Sequence, residues 1–227
     1  VFLDPTFILL IPAIILAIWA QSQVSRRFSM YSKVNSTFGM TGGKMARFLL
    51  DNAGLRSVQI EPVRGKLTDH YDPRKKVVRL SESTLNSKSI AALGVVAHEI
   101  GHAIQDAKQY MPLVLRNMFA PVAGFGSSFS WIVFIMGLLF FSPAMIRVGI
   151  LLFLVVVVFT LVTLPVEFNA SRRAKKQLAA MGMPSGELAA VDKVLFAASM
   201  TYLASTAMAL LQLLRMVLLA GAFGNRN

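Results

Sequence analysis

Two histidines four residues apart, with a glutamate directly after the first, are the part of this chain whose types and spacing could do chemistry. They are His98, Glu99 and His102, in the stretch "GVVAHEIGHAIQ". On a helix, positions i and i+4 lie about 40° apart around the axis, so both imidazoles project from one side. Two nitrogens so placed can share one tetrahedral Zn²⁺. Glu99 points to a neighbouring side, within reach of a metal-activated water without being a ligand. Zinc lowers the pKa of water from about 15.7 toward ~7, and a carboxylate then takes the proton. The chain has only three histidines. A chance shuffle of its composition would give this pattern on the order of once in a thousand. The bland reading is a pair of helix histidines satisfied by backbone or water, with Glu99 on a solvated face. Small neighbours favour the metal: Ala97, Gly101 and Ala103 would let another backbone or a ligand come close.

A catalytic zinc keeps three protein ligands and one open position. The sequence offers His70 and a carboxylate for the third ligand. Glu167, in "TLPVEFNASRRAKK", stands where a long apolar run meets a basic stretch. Its bland reading is an interfacial, salt-bridged carboxylate. Peptide hydrolysis would also need an oxyanion stabiliser. His70, Tyr71, Arg172 and Arg173 are the candidates. Arg172 follows Glu167 by five positions on the same expected helix and is taken to face the metal.

These residues must be positioned by a chain of 227 residues, 55% hydrophobic and carrying a net charge of +12. Its apolar runs are 7–20, 118–141, 143–166 and 194–223, and a spanning helix needs roughly 20 such residues. The sequence therefore reads as a mainly α integral membrane protein with about four transmembrane helices and a small α+β, zincin-like catalytic insert. The expected organisation is an anchor helix over 1–24 and an insert with the histidine motif over 25–115. A transmembrane hairpin over 116–166, a cytoplasmic segment with the candidate ligand Glu167 over 167–193 and a last transmembrane helix over 194–227 follow. The first run lacks a basic leader and a small-residue cleavage site, and reads as a retained anchor. Basic residues crowd into 26–116 and 172–193, beside the apolar runs. That is the positive-inside pattern. It places the insert and the active site on the cytoplasmic side of a multi-pass plasma-membrane protein. No aromatic-basic motif accompanies the charge, which argues against nucleic acid as a partner. Cysteine is absent, so disulfides and thiolate ligands are excluded.

Within the insert, "TGGKMARFLLDNAGL" reads as a helix capped by Thr41 and closed by Gly54. "SVQIEPVRG" reads as a strand. "KLTDHYDPRKKVVRLS" reads as a hairpin around Asp72-Pro73, and either of its strands, "VVRLS" or "KLTDHYD", is expected to hold an extended substrate by its edge. "SKSIAALGVVAHEIGHAIQDA" reads as the helix of the motif. Pro121, Gly124 and Gly126 suggest a kink or a close helix contact. Arg215, the one charge in the last run, is expected to snorkel to the interface.

"AHEIGHAIQ", preceded by "LTDHYDPRKKVVRLSE" and followed across two spans by "LPVEFNASRRA", resembles the YugP-type neutral zinc metallopeptidases of bacterial membranes. The resemblance covers nearly the whole chain and implies a gluzincin, with Zn²⁺ as cofactor. It makes His98, His102 and Glu167 the metal ligands and Glu99 the general base. The implied partners are the lipid bilayer and a peptide or membrane-protein substrate, with room for an oligomer or a partner membrane protein. One position departs from the gluzincin pattern Glu-x-x-x-Asp: four after Glu167 stands Ser171, which accepts a hydrogen bond but carries no charge. Asn169 and Asp106 are weaker substitutes. Two rival readings are a non-catalytic membrane adaptor tied by zinc, with His70 closing the shell, and a zinc hydrolase acting on a non-peptide bond.

Overall fold

The structure is a computed structural model that describes residues 5–224. A 3-10 turn, Pro5–Leu10, runs into α1 (Ile11–Tyr31). Then come α2 (Gly42–Asn52), β1 (Gln59–Val63), β2 (His70–Asp72), β3 (Val77–Ser81), α3 (Glu82–Leu85) and α4 (Ile90–Ala107). Three long helices close the chain: α5 (Met111–Leu139), α6 (Pro143–Ala180) and α7 (Ser185–Gly224). Four helices are long and apolar enough to cross a membrane: Pro5–Tyr31, Met111–Leu139, Pro143–Ala180 and Ser185–Ala222.

The contacts divide the chain into two units. The first comprises the described residues up to Ala20, Val114–Leu164, and those from Thr201 on. Its helix surfaces expose Ile15, Phe125, Phe129, Leu151 and Leu218, as expected where lipid replaces water. Here α5 and α6 form a close hairpin: a Cβ added at Gly149 would stand 2.7 Å from Phe134 Cβ, and one at Gly126 would be 3.4 Å from Leu152 O. Of the two glycines expected to permit such contact, Gly124 meets nothing. Arg215 packs within the protein. It is 4% exposed; its Nε donates to Thr6 Oγ1 at 3.2 Å, and the rings of Phe7 and Trp131 flank its guanidinium at 5.5 and 5.7 Å. Aromatic faces and a hydroxyl supply the negative potential that water would otherwise provide.

The second unit, Gln21–Leu113 with Pro165–Met200, carries the motif. Thr41 caps α2, accepting from Lys44 N, and α2 ends in a turn where Gly54 takes φ +75°. Leu55 N donates to Leu50 O and Gly54 N to Asp51 O, the paired bonds of a Schellman ending that glycine permits without strain. The sheet has the order β1-β3-β2, with β1 parallel and β2 antiparallel to β3. The hairpin is therefore present, but "VVRLS" is the central strand. Its backbone is paired on both sides and cannot receive another chain. β1 and β2 are the edges, which is where Pro62, lacking an N–H, is tolerated. Side chains alternate across the sheet. Val78 and Leu80 are fully buried in the core, where Ile60 and Tyr71 join them; Glu61, His70, Asp72 and Arg79 share the other face, tied through Arg79.

α4 is the centre of this unit. Ser89 caps it, accepting from Ala92 N. Ile90, Leu93, Ala97, Ile100 and Ala103 bury against Met45 and Leu49 of α2 and Ala174 and Leu178 of α6. The last stretch of α6 is polar yet stays helical because Ala170, Ala174 and Leu178, spaced by four, bury one stripe. Gly101 is where α4 and α6 meet most tightly: a Cβ there would lie 2.8 Å from Ala170 O and 3.2 Å from Ala170 Cα. Gly101→Ala is expected to weaken both fold and metal binding. Crowding a backbone carbonyl costs ~1–3 kcal/mol, against ~1 kcal/mol of helix propensity gained. A lower thermal midpoint together with weaker zinc retention is the expected result. A midpoint at or above that of the parent would mean α6 moves aside without cost.

Candidate metal centre

The motif helix and α6 bring three side chains to one point. His98 Nε2 lies 3.2 Å from His102 Nε2 and 3.3 Å from Glu167 Oε2; His102 Nε2 lies 3.5 Å from the same oxygen. Among the described residues this is the group of histidine and acidic side chains with the closeness of metal ligands. The shape can be tested against zinc. Bonds of ~2.0–2.2 Å in a tetrahedron require ligand atoms about 3.3–3.6 Å apart. The observed edges of 3.3 and 3.5 Å fall in that range, and the third, 3.2 Å, lies just below it. Both imidazoles also turn Nε2 inward, toward each other and toward a carboxylate oxygen that can only accept while ionised. Two ring nitrogens and a carboxylate oxygen facing one point fit a cation.

Helix geometry explains the convergence. His98 and His102 stand one turn apart on α4, and Gly101, beside them, admits α6 closely enough for Glu167 to reach across. Glu167 is 1% exposed and His102 7%. The outer ring nitrogens are also engaged: His98 Nδ1 meets Ser171 Oγ at 3.2 Å, and His102 Nδ1 meets Gln105 Oε1 at 3.0 Å. Ser171 thus occupies the place beside His98 that the four-residue spacing after Glu167 suggests. Gln105 was not singled out in the sequence, because a neutral amide in a helix carries no signature. Its one available signal is its position three after His102, hence on the same face.

Glu99 is buried next to this group without joining it. Its Oε2 accepts the backbone N–H of Tyr71 on edge strand β2 at 2.9 Å. Burial pushes its carboxyl up to about 7; the nearby Glu167 carboxylate adds to the rise, while His98 and the Tyr71 N–H oppose it. Tyr71 also donates its hydroxyl to Asp106 Oδ2 at 2.7 Å, and Lys76 pairs with the same oxygen. Burial and the Asp106 carboxylate raise the Tyr71 pKa well above the usual phenol range. Tyr71 therefore fastens β2 to two positions of α4 seven residues apart, along one face of that helix. Asp106 is occupied here and not at either imidazole.

Two expected participants are placed elsewhere. His70 lies on the opposite sheet face from Tyr71: its Nδ1 donates to Thr68 O at 2.8 Å, and its Nε2 faces the Arg79 guanidinium at 3.4 Å. Its N–H and its lone pair are thus both directed away from the cluster. Strand alternation is the reason, since Tyr71 takes the face toward α4. Arg172 is exposed on α6. Five residues along a helix is a rotation of about 140°, so the buried Glu167 and Ser171 face one way and Arg172 another. Arg173, the other arginine, instead donates to Asn169 Oδ1 at 2.7 Å.

Comparison with known proteins gives a family for the chain. Residues 6–221 match the family model described as "Putative neutral zinc metallopeptidase". The chain is similar to a protein of Bacillus subtilis (strain 168) named "Putative membrane protease YugP", with 47% identity over 212 residues, covering 93% of this chain and 94% of that one. No solved structure matches.

Proposed function

The chain belongs to the neutral zinc metallopeptidase family, and from that premise we propose that it is a membrane-embedded, gluzincin-type metalloprotease. The observation that carries the reading is the triangle of His98, His102 and Glu167, sized for zinc, with Glu99 buried beside it. Bound there, zinc supplies Lewis-acid polarisation of a carbonyl and an acidified water. Beside it, Glu99 would serve as the general base and acid, holding a proton on its carboxylate and passing it to the leaving amine. Its carboxyl is suited to both steps because burial has raised it to about 7. The Tyr71 N–H fixes one carboxylate oxygen, so the other is the proton acceptor.

The free edge of β2 supports a peptide as substrate. In an antiparallel pair a residue's N–H and C=O point to the same side. Since the Tyr71 N–H turns from β3 toward Glu99, its C=O also faces outward. An extended substrate laid along this edge would find that carbonyl as an acceptor beside the catalytic carboxylate. This favours peptide hydrolysis over a non-peptide bond. With four helices of spanning length and Glu167 following directly on an apolar run, membrane proteins and membrane-proximal segments are the proposed substrates. The charge asymmetry of the sequence puts this chemistry on the cytoplasmic side of the plasma membrane.

The test is purification of the full chain in detergent, with zinc measured by elemental analysis and hydrolysis of an unfolded protein substrate followed in parallel. Cleavage that stops on chelation and returns with Zn²⁺ is expected. Bound zinc without any hydrolysis of peptide substrates would favour the adaptor role instead.

A further inference from the structure

We infer that Gln105, Asn169 and Arg173 form a polarity relay that fixes which nitrogen of His102 is presented to the metal, with Gln105 as the positioning residue. The inference rests on the zinc reading above and goes beyond it by assigning the atoms that hold a ligand in its binding form. An amide side chain can be turned end for end, so the orientation of Gln105 has to be forced by its partners. Two partners force it together. One is Val166 O, a backbone carbonyl and therefore only an acceptor, 2.8 Å from Gln105 Nε2. The other is Asn169 Oδ1, 3.0 Å from the same nitrogen. Asn169 is itself fixed, because the same Oδ1 also accepts from Arg173 Nε at 2.7 Å, a donor that has no acceptor form. Arg173 thus sets Asn169 with its oxygen inward, and Asn169 and Val166 together set Gln105 with its nitrogen toward α6. The oxygen of Gln105 is left facing His102 Nδ1 at 3.0 Å. An amide oxygen accepts only, so Nδ1 must carry the hydrogen, and Nε2 keeps its lone pair for the metal.

The other ligand is held differently. His98 Nδ1 faces a serine hydroxyl, which rotates and can donate or accept. Ser171 therefore imposes no tautomer on His98, whereas Gln105 imposes one on His102. Gln105 is fully buried, so no water competes for either end of its amide. The missing carboxylate at position 171 is in this way offset at the second histidine by an oriented amide rather than by a charge.

The test measures zinc affinity of the full-length protein in detergent by competition with a chromophoric chelator, and records the visible spectrum after Co²⁺ substitution. Gln105→Met keeps the length and burial of the side chain and removes both polar ends. It is expected to bind zinc about 10–100-fold more weakly, the usual loss when an outer partner of a ligand histidine is removed. Its Co²⁺ bands should shift as His102 loosens. Asn169→Asp still accepts from both Gln105 and Arg173 and is expected to bind like the parent. Asn169→Leu frees one anchor of the amide and is expected to fall between the two. A Gln105→Met protein with parental zinc affinity and an unchanged Co²⁺ spectrum would overturn the relay. If Gln105→Met does not fold, equal affinity in Asn169→Leu and Asn169→Asp would overturn it. Failure of the parent itself to bind zinc would instead remove the metal reading, and so separates the two claims.

Discussion

Glu99→Gln is expected to yield a folded protein with its full zinc content and a rate of peptide hydrolysis lower by ~10²–10⁴-fold, the usual contribution of a positioned acid–base group. The substitution is nearly isosteric. A glutamine oxygen still accepts the Tyr71 N–H that holds Glu99 now, so β2 keeps its place on α4. The imidazoles and Glu167 are untouched. What disappears is the capacity to accept a proton at a buried position where burial has raised the carboxyl toward neutrality. Removing a charge that burial disfavours also relieves a folding cost, so the thermal midpoint of the metal-free protein should hold or rise. Loss of activity with gain of stability is a pattern that general damage does not produce. Normal turnover in the purified variant would eliminate Glu99 as the base.

The candidate metal ligands on α4 could be named because their spacing is a property of the helix alone. Positions four apart share a face whatever surrounds them, and the apolar residues Ile90, Leu93, Ala97 and Ile100 mark that segment as a buried helix before any tertiary contact is known. The four helices of spanning length were legible for a similar reason: run length and hydropathy suffice. Glu167 was a weaker inference from the residues, since a carboxylate after an apolar run has an ordinary interfacial use. It took the resemblance of the whole chain to single it out.

What could not be read depends on which face of an element meets its neighbour. His70 and Tyr71 are adjacent on a strand, and the pleat sends one toward α4 and the other away. The sequence shows the alternation but not its sense. The parallel pairing of β1 with β3 is equally silent in sequence, and it turns "VVRLS" from a prospective substrate edge into the middle of the sheet. Arg172 is a different case. Its angular distance from Glu167 follows from helix geometry, and the separation seen in the structure is the one that five residues impose. Gln105 was hidden because amides become informative only through the donors and acceptors around them.

The candidate site as a whole is asymmetric in how its parts are held, and that asymmetry makes Glu167 the decisive proposed ligand to remove. The two imidazoles sit on one rigid helix and would stay paired in almost any variant. The carboxylate comes from α6 and reaches them because Gly101 admits the Ala170 backbone. Glu167→Ala should therefore leave a two-nitrogen site on an intact helix. Zinc should be lost well beyond the ~10–100-fold typical of outer-shell changes, with hydrolysis falling to background. Glu167→Gln tests charge separately from reach: its amide oxygen can still approach the same point but coordinates weakly, and intermediate zinc retention is expected. His70→Ala supplies the contrast, because its ring nitrogens are engaged by Thr68 and Arg79, and it should keep its zinc. Full zinc content in Glu167→Ala, measured by elemental analysis after dialysis, would remove the carboxylate from the metal. Zinc loss in His70→Ala, with Glu167→Ala unaffected, would transfer the third position to the sheet.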